Sequence, residues 1–213
     1  MAWEVVLAHV LLPAAVAIAA GFGAWRAWTL LRYARDRRLM QLVWFYGLFA
    51  ASMVPMAIHI GQIAASVGDV SLSHWAAGGE LHEIFAKPRD IGALLLLHHA
   101  LMLASLVVAV AAFSPRRTTA AAAGLVVLTP VIPAILAIEA GLTLYLAARA
   151  AMNHRNRRTA GSMRVATGFA LFFLGHITIF LLHGPDAARN PLGDLLSLAG
   201  LIILVRVLPR PRA

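Results

Sequence analysis

The sequence predicts an all-α membrane protein: a seven-transmembrane-helix bundle with a 3+1+3 parallel repeat, its N-terminus outside and its C-terminus cytoplasmic. Three observations carry this. Of the 213 residues, 61% are hydrophobic and 13% charged, with mean hydropathy +0.81. A soluble domain is roughly 45–50% apolar and about 25% charged, and could not hide so much apolar surface. The apolar residues come in runs of about 20, the length that crosses a hydrocarbon core. The arginines gather in short clusters between those runs, as they do in cytoplasmic loops.

The first apolar run is 5–28, followed by Arg32, Arg35, Arg37 and Arg38. The second is 42–63. A polar connection over 69–90 follows, holding His74, Glu80, His82, Glu83, Lys87 and Arg89. The third run, 91–113, is ended by Ser114, Pro115, Arg116 and Arg117. The stretch 118–152 reads either as one helix of roughly 50 Å at 1.5 Å per residue or as two, turning at Thr129 to Pro133. Charge favours two. With two crossings the basic clusters at 32–38, 116–117, 154–158 and 206–212 share one side; with one crossing, two of them face outward. This defines a linker helix at 118–132, a fifth helix from 133, a sixth at 163–182 and a seventh at 192–208. A six-helix bundle is the alternative. The whole chain is then a single membrane domain, integral to the cell membrane.

An internal repeat points the same way. Residues 13–38 align without a gap on 133–158, and ten of the 26 positions are identical. The matches include Pro13 with Pro133, Gly21 with Gly141, and Arg35, Arg37 and Arg38 with Arg155, Arg157 and Arg158. Ile91, Gly92, Leu94 and Leu95 are echoed by Leu192, Gly193, Leu195 and Leu196. Residues 1–113 and 133–213 are thus expected to be equivalent three-helix units. An even number of crossings between equivalents makes repeats parallel.

Several chemistries are excluded. The chain has no cysteine, so disulfides, thiolate zinc sites and iron–sulfur clusters are absent. The net charge of +9 does not imply nucleic acid, because the arginines punctuate apolar runs instead of lining one face. The one lysine, Lys87, lies outside the last helix, so no retinal Schiff base is possible there. His82 and Glu83 begin a zinc-protease motif but the second histidine is missing. No phosphate loop or nucleophile elbow occurs, and no catalytic residue is assigned. The N-terminus lacks a basic segment before its first apolar run, so no cleaved leader is expected.

Ionisable groups inside a membrane are costly and mark function by default. Topology assigns His59, His98, His99, Glu139 and His176 to one layer, roughly 6–12 Å below the outer surface at 1.5 Å per residue. His183 and Asp194 fall at the outer mouth. Neutral imidazole is the commonest metal ligand. Two histidines from different helices suit a haem b; three, with or without Glu139, suit copper or zinc. Glu139 is a ligand, a partner that holds a histidine tautomer, or a proton acceptor. Adjacent His98 and His99 point about 100° apart on a helix, so one of them faces a given centre. Gly61 and Gly175 permit either approach of a flat macrocycle or tight helix packing. Met53 and Met56 beside His59 would suit copper(I), but at this spacing they read as packing residues. His9 reads as a headgroup-level residue, His74 and His82 as solvated, and His154 as part of a basic loop.

The expected function is therefore a redox or electron-transfer subunit that binds haem or a transition metal through His59, His98, His99 and His176. Alternatives are a proton-coupled carrier of a small solute and an accessory subunit of a larger membrane complex. The expected partners are the lipid bilayer and other membrane subunits. The three-one-three layout is similar to that of small sugar transporters of the SWEET type, in layout alone; no motif of that family occurs here.

Overall fold

A computed structural model describes residues 2–66, 89–114, 132–181 and 191–209. Among the described residues the chain is helical throughout, in six helices: α1 (Ala2–Ala34), α2 (Arg37–Ser66), α3 (Arg89–Phe113), α4 (Ile132–Arg157), α5 (Ala160–Leu181) and α6 (Pro191–Val207). Five of them are long and apolar enough to cross a membrane. The sixth, α6, has 17 residues, about 25 Å at 1.5 Å per residue. Large apolar side chains such as Ile18, Trp25, Leu97, Leu144 and Leu181 point outward, as they must where lipid is the solvent. The expected linker helix at 118–132 lies almost wholly outside the described residues.

The helices outrun the apolar runs. α1 continues to Ala34 and α4 to Arg157, because arginine is a good helix former and its long stem lets the charge reach water from a helical backbone. The basic residues 154–157 therefore form the last turn of α4 and not a loop. What stops each helix is a two-residue turn. Arg35 (φ 45°) and Arg158 (φ 49°) take the left-handed conformation. Each donates its backbone N–H to the carbonyl four residues back, Leu31 at 3.0 Å and His154 at 2.7 Å. The next residue caps the following helix: Asp36 Oδ1 accepts from Arg38 N at 2.8 Å, and Thr159 Oγ1 from Ser162 N at 3.1 Å. The α1–α2 and α4–α5 turns are thus built alike. They pair Arg35 with Arg158, three residues from the Arg35–Arg155 match of the sequence alignment, so α4 runs nearly one turn further before its turn.

The helices pack in chain order around a ring, each against its neighbours, with α6 closing on α1. The α3–α4 seam is the thinnest of the six. The core is aromatic at its centre, where Phe49 of α2 meets Phe172 of α5 at 5.1 Å between ring centroids. Phe113 of α3 stacks edge-on with Phe169 of α5 at 5.3 Å. Phe49 and Phe172 both stand fourteen residues beyond their left-handed arginines.

These contacts fix helix direction. α1 is antiparallel to α2, and α4 to α5, by their short turns. Gly168 lies against Gly200, and Gly175 against Gly193, so α5 and α6 are antiparallel. Gly23 of α1 meets Val205 of α6, and the Arg26 guanidinium donates to Val205 O at 2.9 Å and Leu208 O at 2.6 Å; α1 and α6 are parallel. α3 touches α4 through His99 and Glu139, near the start of α4, and its last residue Phe113 reaches Phe169, in the first half of α5. The starts of α4 and α5 lie at opposite ends of the bundle, so α3 runs parallel to α4. One end of the bundle holds both two-residue turns and is called the turn end below; the other is the far end.

Candidate functional site

The five residues singled out from the sequence are buried and lie in the half of the bundle away from the turns: His59 on α2, His98 and His99 on α3, Glu139 on α4 and His176 on α5. They are not one cluster. Among the described residues, no three histidine, aspartate or glutamate side chains are grouped so that they could hold a metal ion.

His99 and Glu139 do meet. His99 Nδ1 lies 2.9 Å from Glu139 Oε1, with both side chains almost fully buried. The pair bridges the α3–α4 seam. Thr143, one turn further along α4, donates its hydroxyl to the Glu139 carbonyl at 2.9 Å. Of the roles open to Glu139, holding the His99 ring is the one this contact displays.

His98 faces the other way, as adjacent helical residues must. Its ring lies 4.9 Å from that of His99 at 61°. Its Nδ1 is 2.7 Å from the Ser52 carbonyl oxygen on α2. Pro55, a residue inside α2, lacks the N–H that would bond the neighbouring Ala51 carbonyl, which loosens the helical ladder at this turn. His176 Nδ1 is 2.9 Å from the Phe172 carbonyl one turn earlier on α5, and its ring lies 4.7 Å from that of Phe172.

A carbonyl oxygen only accepts, so Nδ1 of His98 and of His176 carries the proton and donates it. Each ring then bears its lone pair on Nε2. His99 takes the same tautomer when Glu139 is ionised. Three buried histidines are thus anchored through Nδ1, to a backbone carbonyl twice and a carboxylate once. Metal-ligating histidines are oriented by such anchors.

Gly175 does not leave room for a macrocycle. A Cβ there would come within 2.6 Å of Gly193 O and 3.0 Å of Ser197 N, so its lack of a side chain serves the α5–α6 contact. The same contact brings the next residues, His176 and Asp194, to one level on facing helices. Asp194 is buried, in the first turn of α6 at the far end. His154 is tied into the α4–α5 turn, with Nδ1 3.1 Å from Ser162 Oγ. Residue 9 belongs to α1, whereas His74, His82 and His183 lie outside the described residues.

Two features escaped the sequence reading. Arg26, near the end of the first apolar run, fastens α1 to carbonyls at the C-terminal end of α6; an arginine inside that run was itself a signal. The Ser52 carbonyl was not foreseeable, since no side chain marks a backbone acceptor.

No family model matches this chain, and neither a curated protein nor a solved structure matches it. The functional reading rests on its own residues.

Proposed function

We propose that this multi-pass helical membrane protein is a redox or electron-transfer subunit that holds a haem or a transition-metal ion through histidines of its transmembrane helices. The observation that supports the reading is the anchoring of His98, His99 and His176 through Nδ1, the arrangement in which a ligating histidine would use Nε2. A haem asks for two such nitrogens, because the macrocycle supplies the rest. His59, also buried, is the fourth candidate ligand, and Glu139 supports His99.

The membrane topology belongs to the same proposal: seven crossings, with the turn end cytoplasmic and the histidine layer in the outer half. The parallel run of α3 and α4 supports it, since the chain leaves α3 at the turn end and begins α4 at the far end. Seventeen residues, 115–131, are available for that return; as a helix they would extend about 25 Å, enough for a short crossing. The matched turns and the equal placement of Phe49 and Phe172 support the parallel repeat. The arginines at both turns favour a cytoplasmic turn end.

The test is an absorption spectrum of the detergent-purified protein, oxidised and dithionite-reduced, with metal analysis of the same sample. A Soret band that sharpens into α and β bands on reduction is expected for haem b; bound copper or zinc in a colourless sample would select the metal-ion form. Absence of both from protein purified gently and after reconstitution with haem and metal would end the proposal.

A second reading, a proton-coupled carrier, is favoured by one contact. The His99–Glu139 pair lies between the halves a carrier would rock against each other. Uptake of a solute into liposomes that is abolished by Glu139→Gln would select it; no uptake above protein-free liposomes across amino acids, sugars and metal ions would reject it.

A further inference from the structure

Between His154 and Arg164 the chain has four arginines and no acid. Arg155 and Arg157 close α4, Arg158 holds the left-handed position, and Arg164 stands in the second turn of α5; all four are exposed. The α1–α2 turn also has four, Arg32, Arg35, Arg37 and Arg38, but Asp36 lies among them. The two turns do one structural task with different chemistry. Asp36 caps α2 with a carboxylate. Thr159 caps α5 with a hydroxyl: its Oγ1 accepts from Ser162 N at 3.1 Å, while Ser162 Oγ accepts from Thr159 N at 3.2 Å. His154 Nδ1 joins the same knot, 3.1 Å from Ser162 Oγ. These polar groups satisfy one another and leave the arginines uncompensated. Among the described residues no carboxylate pairs with Arg155, Arg157, Arg158 or Arg164.

Where the arginines stand matters as much as their number. The two candidate spans of this hairpin, Ala134–Arg157 and Ala160–Leu181, end at the turn, so it lies where acyl chains give way to headgroups. On α4 the exposed residues Gly141, Leu144, Ala148, Met152 and Arg155 recur three or four apart, which is one helical face. On α5 the exposed residues Met163, Thr167, Ala170 and Leu174 do the same, and Arg164 flanks the first of them. Each is an outward face, turned to lipid along its length and ending in a guanidinium. Helical side chains tilt toward their own N-terminus. Arg155, about 3 Å before the end of α4, therefore tilts toward the bilayer, and Arg164, about 6 Å inside α5, tilts back toward the turn. The tilts bring the two charges toward one depth.

Guanidinium binds phosphate oxygens two at a time. A free phosphate and a lipid phosphate offer the same oxygens, but only the lipid also covers the apolar faces beneath the arginines. Met152 and Met163, each 58% exposed, stand one turn before Arg155 and next to Arg164.

We infer that the α4–α5 turn binds an anionic phospholipid, its phosphate held by Arg155 and Arg164 and its acyl chains laid along the exposed faces of α4 and α5. Arg157 and Arg158 add attraction for the same headgroup. The inference is independent of what the buried histidines hold and of which leaflet the turn end faces.

The test is native mass spectrometry of the full-length protein in detergent, titrated with phosphatidylglycerol or phosphatidylcholine, with thermal denaturation of the same samples. Phosphatidylglycerol is expected to bind in preference to phosphatidylcholine. Arg155→Gln and Arg164→Gln should each weaken phosphatidylglycerol by about fivefold, the attraction of one basic side chain to an anionic membrane surface, and leave phosphatidylcholine unchanged. Arg37→Gln removes the same charge from the other turn and should leave both affinities nearly unchanged. Thr159→Asp gives the α4–α5 turn the acid that its counterpart has. Aspartate caps a helix as well as threonine does, so the melting temperature without lipid should hold while affinity for phosphatidylglycerol falls; if a glutamine variant failed to fold, this variant alone would decide. Equal affinity for the two lipids, or affinity indifferent to Thr159→Asp and to both glutamine variants, would overturn the inference. So would displacement of phosphatidylglycerol by inorganic phosphate at a comparable concentration, which would make the turn a site for any phosphate and not for a lipid.

Discussion

Glu139 is a carboxylate between apolar helices, and its partner decides what its loss would do. His99 Nδ1 at 2.9 Å is a buried donor. Removing its acceptor by Glu139→Ala should destabilise the protein by about 1–3 kcal/mol, the penalty for an unsatisfied buried donor. Glu139→Gln keeps an amide oxygen that accepts the same bond, so its melting temperature should fall less. Equal losses in the two variants would mean that the bond does not anchor the ring. The tautomers are directly measurable. Nitrogen-15 spectra of the metal-free protein should show His98 and His176 protonated at Nδ1 and unprotonated at Nε2; the reverse pattern at either would contradict its carbonyl contact.

The α5–α6 pair is the element most dependent on missing side chains. Gly168 and Gly200, and Gly175 and Gly193, bring the two backbones together; a Cβ on Gly200 would lie 2.6 Å from Gly168 O. Backbone atoms cannot step aside as a flexible side chain can. Gly175→Ala and Gly193→Ala should each destabilise by about 1–3 kcal/mol, as overpacking does. Gly21 and Gly141 have nothing within 4 Å of such a Cβ. Alanine at either should be neutral or stabilise by up to about 1 kcal/mol, the helix-propensity gain. Thermal denaturation of the four variants separates the two classes. The helices themselves were legible in the sequence, because each needs only a long apolar run. Their ends were not, because arginine marks an interface without ending a helix, and the ends were set by Arg35 and Arg158 in a left-handed conformation. The layer of histidines was legible from topology and counting. Which way each ring faces was not. α3 is apolar nearly all round, so no stripe distinguished the His98 face from the His99 face. Only the neighbours on α2 and α4 do so.

At the scale of the whole molecule, direction is the testable quantity. The chain contains no cysteine, so single cysteines report position without background. Replacements at Asp36 and Thr159 should be labelled from the same side of sealed vesicles, since the two turns share one end of the bundle. A cysteine at Ser73, in the connection between α2 and α3, should be labelled from the opposite side. Labelling of 36 and 159 from opposite sides would break the parallel arrangement of α1 and α4. The ring has two seams between its halves, and each is held by a polar contact at a different height: Arg26 with the α6 carbonyls at the turn end, and His99 with Glu139 further out. Arg26→Ala should loosen the first seam and leave the second intact. Proteolytic trimming of the C-terminal residues should then speed up, while the His99 ring signals stay unchanged.

The left-handed arginines carry a consequence for how the chain is made. A non-glycine residue in that conformation costs about 1–3 kcal/mol, and glycine would relieve it at both turns. Glycine would also delete a positive charge at the two hairpin tips, where the translocation machinery reads which side a loop should stay on. Arg35→Gly and Arg158→Gly should therefore yield hairpins that are more stable once formed but more often threaded the wrong way round. On the proposed orientation, correct delivery and local comfort of the backbone pull on the same two residues.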